Sequence, residues 1–476
     1  MNNPRLIFKN TLAQTAADLL NRFSQLLIVF VMARLLHASG IGLYATAMAY
    51  FALMDEATNM GATTYLIRQV ANEPGQTSRY VVNFSLLGAG FALLGLGAFY
   101  ALLPHLGYDP EMRQAIALVA LAILPGTLNA VQYSVFVAHQ RVEFVAYTGL
   151  AASLVTLGGS LYLLLSGRPV IAVIGVFVFV QYLVAGLYYF FINRRITRLT
   201  WRFEPRFALR LLWEIRVFAA LSLLGGLMSQ PEVILLSLLA APEQVGYYSA
   251  AIKIAFVWLF ISQIYMNNVY PVLSRSFHQA DGQFQIIQDQ AVRYLLALGL
   301  PLCAGMIAAA GPIIRLFYGP GFDAAVAPLQ WLAMGLLPAY LGAVLWRSLA
   351  ARGRQDAVLH TRLLALALRL AGGAALIAAW AERGAAISAA LNLMFSLLLM
   401  AVFLWRAGIR IGVVALGWRF ALAAALMGAA VWWGAAWLPL WLLVGLAAPL
   451  YLGLALALRA ISPAELSSLR RLWSPA

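Results

Sequence analysis

Val170-Ile-Ala-Val-Ile-Gly-Val-Phe-Val-Phe-Val-Gln-Tyr-Leu-Val-Ala-Gly-Leu-Tyr-Tyr-Phe-Phe-Ile192 runs for 23 residues without a charge, and Asn193-Arg-Arg195 closes it. About 20 such residues suffice for a helix to cross a hydrocarbon core of roughly 30 Å. Runs of this kind recur along the whole chain, and strand-type alternation is absent. In lipid the backbone must satisfy its own hydrogen bonds, and an open sheet cannot satisfy its edges there, so the runs are read as helices. Composition agrees: of 476 residues, 63% are hydrophobic and 10% charged, with mean hydropathy +0.84. A soluble domain carries about 25% charge. The solvent of most of this surface is lipid, and the expected fold class is an all-α polytopic membrane protein.

Working outward from 170–192, the pattern places about fourteen spans. The first seven lie at roughly 11–36, 42–67, 80–103, 114–138, 142–166, 170–192 and 212–240. The rest lie at roughly 244–272, 291–318, 324–350, 357–380, 384–405, 413–437 and 438–458. The net charge of +15 is read as a topology signal and not as a nucleic-acid footprint. With the N-terminus cytoplasmic, Arg68, Arg79, Arg141, Arg194, Arg195, Arg198, Arg202, Arg206, Arg210, Arg275, Arg352 and Arg354 all fall on that side. About 24 basic residues lie near the cytoplasmic ends and about 5 near the opposite ends (Arg34, Arg113, Arg168, Arg315, Arg383). One missed span would invert every later loop, so both termini are expected to be cytoplasmic. The first span is expected to serve as the insertion signal, without a cleavable leader.

The lone cysteine, Cys303, excludes a disulfide within the chain and a cysteine metal cluster. His37, His139, His278 and His360 sit near span ends without metal-site spacing. The longest loop, 193–211, is far shorter than the roughly 50 residues of a small domain. That argues against a membrane enzyme of polysaccharide assembly, which would need a catalytic loop. Trp432, Trp433, Trp437 and Trp441 are read as an interfacial aromatic belt.

Gly42-Leu-Tyr-Ala-Thr-Ala47 is echoed by Gly246-Tyr-Tyr-Ser-Ala-Ala251, at the openings of spans two and eight. The expected organisation is therefore two six-helix halves, 1–193 and 212–406, in parallel orientation. A basic cytoplasmic linker, 194–211, joins them, and 407–476 adds two further helices and a cytoplasmic tail. Binding sites in such repeats tend to lie where the repeats meet.

Several stretches carry a resemblance. They are Met32-Ala-Arg-Leu-Leu36, Gly42-Leu-Tyr44, Gly61-Ala62 and Arg68-Gln-Val-Ala71, followed by Glu232-Val-Ile-Leu-Leu236 and Val245-Gly-Tyr-Tyr-Ser-Ala-Ala-Ile-Lys253. Tyr270-Pro-Val-Leu-Ser274, Leu300-Pro301, Tyr318-Gly-Pro-Gly-Phe322 and Ala351-Arg-Gly-Arg354 complete the set. In this order the chain resembles the polysaccharide-transport branch, the Wzx-type oligosaccharide flippases, of the multidrug/oligosaccharidyl-lipid/polysaccharide exporter superfamily. The family usually has an acid, often Asp, where Glu232 stands, and a basic residue near Lys253. The pair Asp55-Glu56 is not a family feature. The resemblance implies a non-enzymatic flippase in a bacterial inner membrane. Its implied substrate is undecaprenyl-diphosphate-linked oligosaccharide, moved by alternating access. Membrane lipids and a polysaccharide polymerase are the implied partners, and no cofactor is expected. A lipid-linked peptidoglycan-precursor flippase and a cation-coupled multidrug exporter of the same superfamily are the alternatives.

Charges inside spans cost about 2.5–3.5 kcal/mol on insertion scales, so they face cavities or one another. Gln14, Asp18, Asn21, Arg22 and Gln25 form one helical stripe in span one. They line a wet cavity with Arg22 as an anion contact, or Asp18 and Arg22 pair along the helix. Asp55, Asn59 and Thr63 share a face of span two, beside Glu56. The acids carry a proton or sodium, or bridge to Arg22. Span seven carries Gly225-Gly226 and Pro231 ahead of Glu232, a kink that reads as a gate or as packing. Lys253 and Arg369 suit a diphosphate, by point charge and by paired hydrogen bonds respectively. Each could equally pair with an acid or snorkel. Expected substrate contacts are thus Arg22, Lys253 and Arg369, and expected coupling or gating groups are Asp18, Asp55, Glu56 and Glu232. No catalytic residue or metal ligand is expected.

Overall fold

The computed structural model describes residues 4–59, 61–277, 282–409 and 412–461. For residues 4–20 and for Arg22 it describes the backbone alone. Among the described residues every regular element is helical. The chain packs as two compact units, 1–246 and 247–476.

The first unit holds α1 (Pro4–Asn59), α2 (Ala62–Asn72), α3 (Thr77–Leu102), α4 (Pro110–Ala120), α5 (Ile123–Ala138), α6 (Glu143–Leu165), α7 (Val170–Arg195), α8 (Pro205–Ser229) and α9 (Pro231–Leu239). The unit boundary falls inside α10 (Pro242–Phe256), after Gly246. The second unit continues with α11 (Leu259–Phe277), α12 (Gln283–Ala308), α13 (Ala310–Tyr318), α14 (Val326–Ala351), α15 (Gln355–Arg406), α16 (Val413–Gly434) and α17 (Leu440–Ala457).

Twelve stretches among the described residues are long and apolar enough to cross a membrane. Two of these, Phe23–Asn72 with 50 residues and Gln355–Arg406 with 52, are each long enough to cross twice. Each contains one non-glycine residue in the left-handed region, His37 (φ 58°) in α1 and Ala381 (φ 46°) in α15. Such a residue interrupts helical geometry, so each stretch divides into two helices, and counting each as a span gives fourteen among the described residues. The second span also breaks earlier than its apolar run does. Gly61 (φ 63°) separates α1 from α2, and a Cβ there would lie 2.8 Å from the backbone oxygen of Phe218. The run 291–318 likewise divides into α12 and α13.

The core of the first unit gathers Leu66, Val70, Val81, Val135, Phe136, Ile192 and Leu211. α8 packs on α1 and α2, and α9 on α1, so the seventh span belongs to this unit. In the second unit Met266, Leu273, Val292, Leu295, Tyr340 and Val344 form the core between α11, α12 and α14. The last two spans close on α12 through small residues: a Cβ on Gly428 would lie 3.2 Å from Ala304 Cβ, and the Tyr451 hydroxyl donates to Ala297 O at 2.7 Å. Trp432, Trp433, Trp437 and Trp441 are all exposed around this hairpin, as a lipid-facing belt is.

The echoed glycines meet. A Cβ on Gly42 would lie 1.8 Å from Pro242 O, and one on Gly246 would lie 2.0 Å from Ala38 O. The offsets match, since 246 − 42 and 242 − 38 are both 204. Residues 38–42 and 242–246 therefore touch reciprocally.

Candidate functional sites in the two units

In the first unit the second half of α1 turns two adjacent carboxylates toward different partners, because neighbouring helical residues point about 100° apart. Asp55 faces α5 at Gly126: a Cβ on that glycine would sit 2.5 Å from Asp55 Oδ1. Glu56 faces α8, where Ser222 Oγ donates to its Oε1 at 3.2 Å and Gly226 leaves room for its stem. The sequence spacing of the glycines thus has a local cause, since each makes space for an acid.

Around Asp55 the surroundings are polar. Thr58 Oγ1 donates to Met54 O at 2.9 Å, and Thr127 Oγ1 lies 3.1 Å from the Thr58 hydroxyl. Asn129 Nδ2 donates to Gln181 Oε1 at 3.0 Å. Buried Asp55 Oδ1, Asn59 Oδ1, Asn129 Oδ1 and Gln132 Oε1 make no hydrogen bond among the described residues. Several acceptors without donors inside one bundle are a place for a proton, a cation or water, since an unsatisfied buried acceptor is costly. The crevice beside Thr58, Asn59 and Thr127 measures about 10 Å³, room for a water and not for a sugar.

At one end of the same unit three hydroxyls form a chain. Tyr50 and Tyr108 lie 3.0 Å apart, and Tyr108 lies 2.7 Å from Ser237 Oγ, which donates to Ile234 O at 2.8 Å. Burial pushes the Tyr108 phenol above its usual value, so it remains protonated and able to donate. Glu232 opens α9 directly after Pro231 and is 1% exposed, making contacts within its surroundings. Pro231 stands at a true break between α8 and α9, where Gln230 leaves helical geometry (φ −145°, ψ 44°).

In the second unit Lys253 lies in the last turn of α10, half-buried and with interaction partners. The helix stops three residues later, so the ammonium stands near the negative end of a helix dipole. Arg369 is half-buried in α15 and also interacts with its surroundings. The side chains of Asp18 and Arg22 lie outside the described residues. Nearby in the stripe, exposed Gln25 donates to Asn21 Oδ1 at 3.3 Å.

Sequence reasoning missed Arg347. It is 4% exposed on α14, donating to Asn267 Oδ1 at 2.9 Å and to Ala343 O at 3.2 Å, with Gln263 Oε1 at 3.5 Å. Its guanidinium lies 4.9 Å from the Trp346 ring. Among the described residues these partners are neutral oxygens and a π face, and none is a carboxylate. The available signal was Gln263 and Asn267, two amides four apart on one apolar helix.

The motif Tyr318-Gly-Pro-Gly-Phe322 has a packing role in this unit. Gly319 (φ 91°) turns the chain so that Tyr318 and Phe322 are both buried with rings 5.2 Å apart, and Tyr318 donates to Ala250 O at 3.1 Å. Beside it, Arg315 Nε donates to Asp323 Oδ1 at 2.9 Å.

A family model described as "Polysaccharide biosynthesis protein" matches residues 31–327. No curated protein sequence matches the chain. Among solved structures, the lipid II flippase MurJ in an inward closed conformation aligns with TM-score 0.77 at 14% identity, covering 94% of this chain and 98% of that one. An inward-facing multidrug resistance MATE family transporter of the MOP superfamily aligns with TM-score 0.66 at 14% identity, covering 83% and 95%. At this identity the likeness is one of fold: the chain has the architecture of these membrane flippases and transporters.

Proposed function

The chain belongs to the polysaccharide biosynthesis protein family, and from that premise we propose that it is a flippase for undecaprenyl-diphosphate-linked oligosaccharide. It works in a bacterial inner membrane with both termini cytoplasmic, by alternating access, and makes or breaks no covalent bond. The observation that carries this reading is Arg347, a buried guanidinium surrounded by neutral acceptors and an indole face. A desolvated cation with only neutral partners among the described residues favours an anion, and a guanidinium can grip a diphosphate through two parallel hydrogen bonds. Lys253, Arg369 and Arg22 are proposed as further phosphate contacts. Asp55, Glu56, Asp18 and Glu232 are proposed as the coupling and gating groups.

The peptidoglycan-precursor reading stands second, supported by the fold likeness to MurJ. Both readings place a polyprenyl diphosphate at the cations and differ in the glycan. A polysaccharide polymerase is the proposed downstream partner.

The test is export of polymer in cells, with membrane abundance measured in parallel. Arg347→Ala is expected to lower export at least tenfold at undiminished abundance, and Arg347→Lys to retain part of it. Full export from Arg347→Ala would remove Arg347 from the substrate path.

A further inference from the structure

The mid-chain segment 196–204 lies on α3. Thr200 N donates to Ser78 Oγ at 2.8 Å, Glu204 N donates to Asn83 Oδ1 at 2.9 Å, and Arg79 Nε donates to Glu204 Oε1 at 3.0 Å. This docking brings Phe203 over the lipid side of α3. There it forms one wall of an open groove of about 450 Å³, with Leu86, Leu87, Gly90, Phe91 and Leu94 as the others. All six lining residues lack polar side chains.

Flanking Phe203 are Arg202 and Arg206, both exposed, with Arg198 and Arg210 one turn or segment farther along. Of the acids nearby, Glu204 is paired with Arg79, while Glu214 accepts from the neutral Tyr65 hydroxyl and keeps its charge. Arg198, Arg202, Arg206 and Arg210 outnumber these acids, so the segment beside the apolar groove is net cationic. From Asn83, where the segment docks, to Leu94 is eleven residues, or about 16 Å of helix. That is about half of a hydrocarbon core of roughly 30 Å, the depth of one leaflet.

We infer that this groove and its arginines bind an anionic phospholipid, its acyl chain along Leu86–Leu94 and its phosphate against Arg202 and Arg206. Clusters of arginine at a membrane surface attract anionic headgroups. The groove adds a fixed place for the chain, which a bare basic loop lacks. The site is distinct from the buried cations of the second unit and does not depend on which glycan is carried.

Gly90 offers a clean test, because a Cβ there meets nothing within 4 Å. Gly90→Leu places a side chain in the groove, and Arg202→Gln with Arg206→Gln removes the cations that would meet the headgroup. The full-length protein is purified in detergent, mixed with equal phosphatidylglycerol and phosphatidylethanolamine, and examined by native mass spectrometry. The wild-type chain is expected to retain phosphatidylglycerol at least fivefold over phosphatidylethanolamine. Gly90→Leu should lower retention of both lipids, and the double glutamine variant should abolish the preference. Inorganic phosphate at millimolar concentration should not displace the lipid, since it has no chain to fill the groove. Equal retention of the two lipids by the wild type, or unchanged preference in the double variant, would overturn the inference.

Discussion

At the residue scale, single charges are placed with local precision. Asp55 and Glu56 are adjacent in sequence but serve different surfaces, one at Gly126 and one at Ser222. Gly126→Ala puts a methyl group where Asp55 Oδ1 now lies. Overpacking of this kind costs about 1–3 kcal/mol, so this variant is expected to lower the unfolding temperature of the purified protein. Gly90→Ala, in open space, should leave that temperature unchanged. Equal unfolding temperatures for the two variants would mean that Asp55 does not rest on Gly126. The two acids should also separate in function. Glu56→Gln keeps a hydrogen-bond acceptor for Ser222 and is expected to fold while losing dependence of flipping on the proton gradient. An unchanged gradient dependence would leave Glu56 a packing group. Both acids could be picked out from the sequence, because a carboxylate within an apolar run is conspicuous. Arg347 could not, because an arginine three residues from the end of a run reads as a loop charge. Only the packing of α11 against α14 places it among amides.

At the element scale, kinks and close approaches decide which helices can come together. The apolar runs located fourteen spans, yet the breaks at Gly61 and between α12 and α13 fall within runs that hydropathy reads as continuous. Hydropathy reports the solvent, and both sides of such a break are equally apolar. The Pro231 break was legible, because proline lacks the backbone donor that a helix interior requires. The echo at Gly42 and Gly246 was legible as a repeat, but its contact was not. It arises only when residues 38–42 and 242–246 cross with each glycine under the other segment's carbonyl. Gly42→Ala and Gly246→Ala are each expected to destabilise the protein in thermal unfolding. Because both residues act at one crossing, the double variant should lose less than the sum of the singles. Strict additivity would show that the two glycines act at independent sites.

At the scale of the whole molecule, the chain is a multi-pass membrane protein with a flippase and transporter fold, and its basic loops set the proposed orientation. A reporter joined after Ile461 is expected on the cytoplasmic side, and one inserted at Gly107 on the opposite side. Finding both on one face would require a different span count. Asp55 and Glu56 lie in the first unit, and Arg347, Lys253 and Arg369 in the second. The proposed cargo is a polyprenyl-diphosphate-linked oligosaccharide, and flipping in proteoliposomes measures its transport directly. Vesicles containing the purified protein should expose an inner-leaflet lipid-linked oligosaccharide to an external glycosidase at least tenfold faster than empty vesicles. Arg347→Ala vesicles should match the empty ones. Exposure at the empty-vesicle rate by the wild-type protein, with or without a proton gradient, would contradict the account.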